Sequence, residues 1–204
     1  MKRSLINALI LTVSLATSAC SNTYSSRSQR HEDVTTDAGH IDFGIFDQIK
    51  SATAYQHIHY LDEEKGVVEF KDGSRWKVSR LDGIKGWEKS KHLVITQNHA
   101  TFSTASYALV NLDIKLAEPI SLIREPTPGK DIQYVKNIIL VNDIVTLSDG
   151  LKWVIHSSDR AKLSKMVEND RIVIGVNSEG DKDKNPYLLI DTSTNNYVRA
   201  QLLD

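Results

Sequence analysis

An internal duplication is the feature that most constrains what this chain of 204 residues can fold into. The segment GVVEFKDGSRWKV at 66–78 matches DIVTLSDGLKWVI at 143–155 with an offset of 77. Two shorter segments match in the same order at offsets of 79 and 80: KHLVI at 91–95 with DRIVI at 170–174, and YALVN at 107–111 with YLLID at 187–191. Ordered matches of this kind indicate two copies of one structural unit. The alternative is a pair of similar hairpins within one larger sheet.

Both copies predict a β-hairpin. In the first copy, apolar and polar residues alternate at 66–70 and again at 75–78, with Asp72-Gly73 between the two runs. The second copy repeats this pattern around Asp149-Gly150. An Asp-Gly pair between alternating runs is a strong hairpin signal, because glycine accepts the positive φ that a type I′ turn requires.

The order of the remaining elements favours a small barrel in each copy. We expect one strand before each hairpin and two strands after it. A short helix is expected between the hairpin and the two later strands, at 81–87 in the first copy and at 157–167 in the second. Three strands, a short helix and two or three strands within about 70 residues suit a small closed barrel. The sequence therefore predicts a mainly β chain with two tandem small β-barrels, OB-like or SH3-like, each with a short helix.

Cys20, the only cysteine of the chain, follows a segment with the features of a secretory signal. Two basic residues, Lys2 and Arg3, precede an apolar run at 5–16, and Thr17-Ser18-Ala19 stand directly before the cysteine. The apolar run is shorter than the roughly 20 residues that a membrane-spanning helix needs. These residues resemble the lipobox of bacterial lipoproteins, although Thr17 stands where that motif usually has leucine.

The lipoprotein resemblance covers residues 1–21. It implies that residues 1–19 are removed and that Cys20 becomes an N-terminus carrying acyl chains such as palmitate. Ser21 after the cysteine, instead of aspartate, implies the outer membrane of a Gram-negative envelope, with the protein facing the periplasm. The lipids on Cys20 would hold the protein at the membrane without a spanning segment. The alternative is an ordinary signal peptide cut after Ala19, which leaves a free thiol.

The charge balance argues against two classes of partner. Cleavage after Ala19 removes two basic and no acidic residues, which leaves 23 basic and 26 acidic side chains and a net charge of −3. Nucleic-acid binding needs a basic patch or stripe, and electrostatic binding to anionic lipid needs a polybasic segment. We therefore expect no nucleic-acid partner and a membrane association that depends on the lipid anchor.

The segment between Cys20 and the first copy divides into two parts. Residues 21–40 are polar and rich in Ser and Thr, which predicts a disordered, flexible tether. Residues 41–49 (IDFGIFDQI) carry large apolar side chains that need burial, so they are expected to dock on the first barrel. The predicted organisation begins with a signal peptide at 1–19 and the lipidated cysteine with its tether at 20–40. The first barrel with its docking segment follows at 41–123, a linker stiffened by proline at 124–131, and the second barrel at 132–204.

No catalytic motif occurs with its usual spacing, so we expect a protein that is not an enzyme and uses no cofactor. Ser103, His99 and Asp113 are the residue types of a catalytic triad, but almost any chain of this length offers such a set.

Metal binding is also not expected. His57 and His59 would lie on one face of a strand and could begin a metal site. A solvated strand face is favoured, because no third ligand has motif spacing. The acidic loop at 178–186 lacks the EF-hand pattern and is expected to be solvated.

Tryptophan is the candidate residue type for contact with a partner. Trp76 and Trp153 occupy equivalent positions in phase with apolar neighbours, so both are expected in a core. Trp87 has Met166 as its counterpart in the second copy and is the candidate for an exposed interaction residue.

The combination of anchor, tether and duplicated barrels predicts a non-catalytic, lipid-anchored interaction module. Its partners would be the membrane, through the anchor, and other envelope proteins, for which it would be an accessory or scaffold component. Two alternatives are a lipoprotein that binds peptidoglycan or another glycan, and a periplasmic inhibitor of a lytic enzyme.

Overall fold

The computed structural model describes residues 33–203, and two six-stranded antiparallel sheets account for most of this part of the chain. The predicted signal peptide, Cys20 and the first part of the predicted tether lie outside the described residues. The strands are β1 Asp33–Thr36, β2 Gly39–Asp42, β3 Ile58–Asp62, β4 Val67–Phe70, β5 Arg75–Val78, β6 Leu93–Gln97, β7 Tyr107–Asn111, β8 Leu116–Arg124, β9 Gln133–Ile139, β10 Ile144–Leu147, β11 Lys152–Ile155, β12 Arg171–Val176, β13 Tyr187–Asp191 and β14 Asn196–Leu202.

Within residues 33–203, helical structure is confined to short segments. An α-helix, α1, spans Arg160–Leu163. The 3-10 helices are Phe43–Gln48, Ala52–Ala54, Asp82–Ile84, Trp87–Lys89, Leu140–Asn142 and Ser157–Asp159. Among residues 33–203 there is no helix with the length and apolar character needed to cross a bilayer.

The two sheets have the same strand order, as expected for a duplication. The first runs β3-β4-β5-β8-β7-β6, and the second runs β9-β10-β11-β14-β13-β12 and closes into a barrel through β12 and β9. The prediction of a mainly β chain with two tandem small barrels is confirmed. Each unit has six strands, one more than the five strands of an OB-fold.

The first barrel is less completely closed than the second. In the second barrel, β9 and β12 pair at Gln133–Ile172 and at Tyr134–Arg171. In the first, an isolated antiparallel bridge joins Gln56 to Leu93. Gln56 is the counterpart of Gln133 at the offset of 77, and Leu93 is the counterpart of Ile172 at the offset of 79. We call the place where β3 and β6 approach each other the seam of the first barrel. The first barrel has kept the equivalent bridge at this seam and little other backbone pairing.

The same aromatic pair lies in the core of each barrel. Trp76 meets Tyr107 edge-on with ring centroids 5.6 Å apart, and Trp153 meets Tyr187 edge-on at 5.2 Å. Both tryptophans are fully buried, which confirms that they are core residues. Edge-to-face contact is a favoured arrangement for aromatic rings, and both copies have kept it.

Trp87 is not the exposed residue that we expected. Its side chain is 2% exposed and packs in the core of the first barrel with Ile84 and Leu93. The 3-10 helix at Trp87–Lys89 contacts β3, the edge strand that follows the isolated bridge between Gln56 and Leu93 of β6. The indole therefore supplies packing at the incompletely closed seam, and it is not available to a partner.

The polar segment at 33–40 is not a tether, contrary to our expectation. It forms most of the hairpin β1–β2, in which Thr36 Oγ1 donates to Gly39 O at 2.9 Å. Ala38 and Ile41 are buried, and this burial compensates for the polar composition of the hairpin. The prediction from composition was wrong because the burial of only two apolar residues, Ala38 and Ile41, is enough to hold this hairpin against the rest of the protein.

The docking segment after this hairpin contacts both barrels. Phe43, Ile45 and Phe46 of its 3-10 helix are buried in a cluster that contains outer-face residues of the first sheet and core residues of the second barrel. The Tyr187 hydroxyl of the second barrel accepts hydrogen bonds from the backbone N–H groups of Lys50 and Ser51 at 2.9 and 3.0 Å. The segment therefore ties the two barrels together.

The barrels pack closely where β12 crosses β6. A Cβ atom placed on Gly175 would lie 2.7 Å from the backbone oxygen of Ile95. Val173, Leu188 and Ile190, from the outer face of the second barrel, belong to the core cluster of the first. Glycine at position 175 thus permits two backbones to approach closely, and the approach buries apolar side chains on both sides.

Gly175→Ala is expected to reduce the free energy of unfolding by about 1–2 kcal/mol, since the added methyl group forces the two strands apart. The opposing atom belongs to the backbone, so no side chain can move to relieve the contact. Urea unfolding followed by far-UV circular dichroism measures the effect. An unchanged midpoint would contradict the close approach of β6 and β12.

Candidate functional site

A cleft between the two barrels is the best candidate for a functional site. We call it the inter-barrel cleft; it has a volume of about 520 Å³. Its walls come from the first barrel, from the second barrel and from the linker that joins them. Its polar lining includes Gln56, His57, Lys71 and Asp72 of the first barrel, Lys130 and Asp131 of the linker, and Gln133 and Asp149 of the second barrel. Clefts of this size at domain boundaries are common ligand sites.

Equivalent positions of the duplication meet in this cleft. Gln56 and Gln133, which correspond at the offset of 77, both line it. Asp72 and Asp149, the aspartates of the two Asp-Gly turns, also both line it. The duplication therefore brings the same end of each barrel to one place. This could not be read from the sequence, because the repeats do not specify how the barrels pack.

The linker is fixed to both barrels, so the cleft is formed before any ligand enters. The Thr127 N–H donates to the backbone oxygen of Asp72 at 2.9 Å, on the first barrel. Arg171 of the second barrel donates to the Glu125 carboxylate and to the backbone oxygen of Pro126, both at 3.0 Å. A preformed site loses less conformational entropy on binding than a mobile one.

The carboxyl of Asp72 in the cleft has a raised pKa. Burial raises the pKa of its carboxyl above the ordinary value and the nearby Glu69 adds to this, while hydrogen bonds from Ser74 oppose it. Those bonds come from the Ser74 N–H at 2.8 Å and the Ser74 hydroxyl at 2.7 Å, and both reach Oδ1. A carboxylate disfavoured in this way would gain from a cationic or hydrogen-bonding ligand.

A second polar cluster lies where β6 meets β12, and sequence reasoning missed it. Gln97 Nε2 donates to Asn177 Oδ1 at 2.7 Å, and Gln97 Oε1 accepts from the Ser178 N–H at 2.9 Å. Thr96 Oγ1 donates to Ser178 Oγ at 2.8 Å. Thr96, Gln97 and Asn177 are buried, so the network satisfies polar groups that close packing removes from water. The available signal was the presence of polar residues within otherwise apolar strands.

His99 joins this network and does not assemble with Ser103 and Asp113. Its Nε2 lies 2.7 Å from Ser178 Oγ, and its Nδ1 lies 3.4 Å from Glu179 Oε1. Asp113 instead pairs with His92 at 2.6 Å. The Ser178 hydroxyl also donates to Gln97 Oε1 at 3.0 Å. Ser178 of the second barrel is therefore held by Thr96, Gln97 and His99 of the first, and its hydroxyl serves as a contact between the barrels.

The acidic loop at 178–186 is more firmly held than we expected. Asp181 Oδ2 lies 2.9 Å from His156 Nε2 and accepts a hydrogen bond from Asn185 Nδ2 at 2.7 Å. Lys182 pairs with Asp42 of the N-terminal hairpin at 2.9 Å. The loop thus links the second barrel to the hairpin, although Asp183 stays exposed.

The two neighbouring histidines occupy different surroundings. His57 lines the inter-barrel cleft, and both His57 and His59 are exposed. The pairing of β3 with β4 shifts register between Ile58 and Tyr60, which breaks the regular alternation at this point. Within residues 33–203 there is no group of three or more His, Cys, Asp or Glu side chains arranged to hold a metal ion.

Comparison with known proteins gives no family for this chain. No protein-family model matches it, and searches of curated proteins and of solved structures return no significant match.

Proposed function

We propose that this chain is a non-catalytic, lipid-anchored module that binds an extended segment of another envelope protein in the inter-barrel cleft. The observation that carries the proposal is the construction of the cleft: both repeats and the fixed linker contribute to it. A site that needs both copies gives a reason for the duplicated architecture. The lipobox-like residues before Cys20 support the membrane location.

The chemistry of the lining favours a polypeptide ligand with at least one basic side chain. The cleft offers charges of both signs, with two lysines, Lys71 and Lys130, and three acids, Asp72, Asp131 and Asp149. A polypeptide presents amide groups and charged side chains that can pair with such a lining. A lysine or arginine next to Asp72 would stabilise the carboxylate that burial disfavours.

Site-specific photo-crosslinking of the full-length lipidated protein in cells tests the proposal. A photoreactive residue at Thr53, an exposed position of the cleft, is expected to give a discrete protein adduct. The same residue at Glu88, exposed and outside the cleft, is expected to give none. Equal adducts at both positions, or none at Thr53, would contradict binding in the cleft.

A charge-reversal pair makes the test specific for the lining. Asp149→Lys in the cleft is expected to lower the Thr53 adduct by about tenfold, because it leaves a basic ligand group facing a like charge. Asp183→Lys makes the same charge change at an exposed position outside the cleft and is expected to have no effect. A glycan ligand would give a different result. The mature chain would then bind purified cell-wall sacculi, Asp149→Lys would abolish that binding, and no protein adduct would form at Thr53.

A further inference from the structure

An apolar turn projects from the second barrel where the first barrel has an acidic one. We call residues 139–141 the apolar tip; its side chains Ile139, Leu140 and Val141 are 38%, 48% and 80% exposed. Ile139 is the last residue of β9, and Leu140 and Val141 belong to the 3-10 helix Leu140–Asn142 that connects β9 to β10. Three consecutive exposed apolar residues on a turn are costly for solubility and are usually found at a contact surface.

The duplication provides an internal control for this turn. The equivalent strand pairing joins Asp62 to Val67 in the first barrel and Ile139 to Ile144 in the second. At the offset of 77, the residues equivalent to the apolar tip are Asp62, Glu63 and Glu64. The fold therefore accepts three acids at this position. The apolar side chains of the second copy are not required by the barrel and need another explanation.

The apolar tip is held in one shape and carries no unpaired acid. Arg160 donates to the backbone oxygen of Leu140 at 2.8 Å and forms an ion pair with Asp143 at 2.9 Å. Asp143 adopts a left-handed conformation with φ of 53°, which ends the turn. From Lys136 to Asn142 the sequence contains one basic residue and no acid. A negatively charged surface would therefore accept this turn and repel its acidic counterpart.

We propose that the apolar tip inserts into the headgroup region of the lipid membrane to which the chain is anchored; this rests on the lipid anchor of the proposed function. Cys20 and Asp33 are 13 residues apart, so the chain between them spans at most about 45 Å. An anchored barrel therefore stays close to the bilayer, and the high local concentration makes a weak contact effective. A turn with three consecutive exposed apolar side chains presents to a bilayer the kind of surface that lipid can bury.

Insertion of the apolar tip determines which side of the protein faces the membrane. Three apolar side chains are too few to hold a free protein on a bilayer, so the contact depends on the anchor. With the anchor in place, the tip orients the second barrel relative to the bilayer. The inter-barrel cleft is then presented to partners in a defined direction.

Fluorescence quenching in vesicles tests the insertion directly. The full-length lipidated protein carries Val141→Cys labelled with an environment-sensitive fluorophore, in vesicles of phosphatidylethanolamine and phosphatidylglycerol. Doxyl-labelled lipids are expected to quench this fluorophore. Val167→Cys, at a position of the same barrel that is 60% exposed, is the matched control and is expected to stay unquenched. Equal quenching at the two positions, or none at Val141, would overturn the proposal.

A second variant separates insertion from mere proximity. Leu140→Cys with the label is expected to be quenched, and adding Val141→Asp to it is expected to abolish the quenching. Quenching that persists beside the new aspartate would show that the tip is only near the lipid, and would overturn insertion. A protein adduct formed by a photoreactive residue at Val141, together with an unquenched label, would overturn it in favour of a protein groove.

The same experiment distinguishes failure of the anchor from failure of the tip. If Cys20 is not acylated, the protein does not float with the vesicles and Cys20 itself takes the label, which counts against the proposed function and this inference together. If the protein floats but Val141 is unquenched, only the insertion of the apolar tip is wrong.

Discussion

Trp153→Ala and Trp76→Ala are each expected to lower the free energy of unfolding by about 3–5 kcal/mol, with a single unfolding transition in both variants. The size follows from deletion of a fully buried indole from a packed core. The single transition follows from the shared packing, because Val173 of the second barrel lies in the core cluster of the first. In the same way, Val94 of the first sheet joins the cluster that contains the second core.

The measurement is urea unfolding followed by far-UV circular dichroism and by the fluorescence of the remaining tryptophans. Coincident curves are expected for both variants, since neither barrel can lose its core without exposing a surface of the other. Phe102→Ala is the control; its ring is 99% exposed, so the expected change is below about 0.5 kcal/mol. Two separate transitions would mean that the barrels fold independently.

Phenylalanine substitutions refine this comparison. Trp76 Nε1 donates to Ser74 Oγ at 2.9 Å, whereas Trp153 Nε1 has no hydrogen-bond partner within the described part of the chain. Trp76→Phe therefore loses a buried hydrogen bond, worth about 1 kcal/mol, that Trp153→Phe does not lose. We expect the first variant to be the less stable of the two, and the opposite order would contradict the hydrogen-bond assignment.

The barrels were predictable because their signals are local and occur twice. Each Asp-Gly turn lies between alternating strands, and each hairpin contains a tryptophan in phase with its apolar neighbours. Copies that keep the same pattern reinforce one another, so the duplication was visible without any alignment. The sixth strand of each unit was left open, because the pattern allowed two or three strands after the short helix.

The remaining features depend on contacts between distant parts of the chain. Trp87 directly follows a segment that contains Gly83 and Gly86, and its burial is explained by the incompletely closed side of the first barrel beside β3. Gln97 and Asn177 are polar residues in strands and were not singled out. Their burial follows from the crossing of β6 over β12, which requires Gly175. The inter-barrel cleft has the same origin, so no pattern within one repeat could indicate it.

A buried acid under the N-terminal hairpin gives the protein an expected dependence on pH. Glu118 on β8 is 4% exposed, and its carboxyl occupies the space that a Cβ on Gly83 would need. Burial and, after it, the hydrogen-bonded carboxyl of Asp37 together raise the pKa of Glu118 to about 7, while Arg80 acts in the opposite direction. Asp37 belongs to the turn of the β1–β2 hairpin, so the proton on Glu118 helps to hold the hairpin on the first barrel.

The native state therefore binds more protons than the unfolded state between the ordinary value of 4.5 and the folded value of about 7. Stability is expected to fall as pH rises through this interval and to stay lower above it. Glu118→Gln removes the ionisation, so at pH 8 the variant is expected to be more stable than the parent by about 2–3 kcal/mol, allowing for partial screening by solvent. At pH 4, where Glu118 is protonated in both states, we expect little difference between the two proteins.

Urea unfolding of parent and variant between pH 4 and pH 8 measures this difference directly. Every other titratable group is common to both proteins, so its contribution cancels in the comparison. Glu88→Gln, at an exposed position, is the control and is expected to follow the parent at every pH. Parallel curves for Glu118→Gln and the parent would mean that Glu118 is ionised in the folded protein. The hairpin would then be held by the contact of Asp37 with Arg80 and by its buried apolar residues alone.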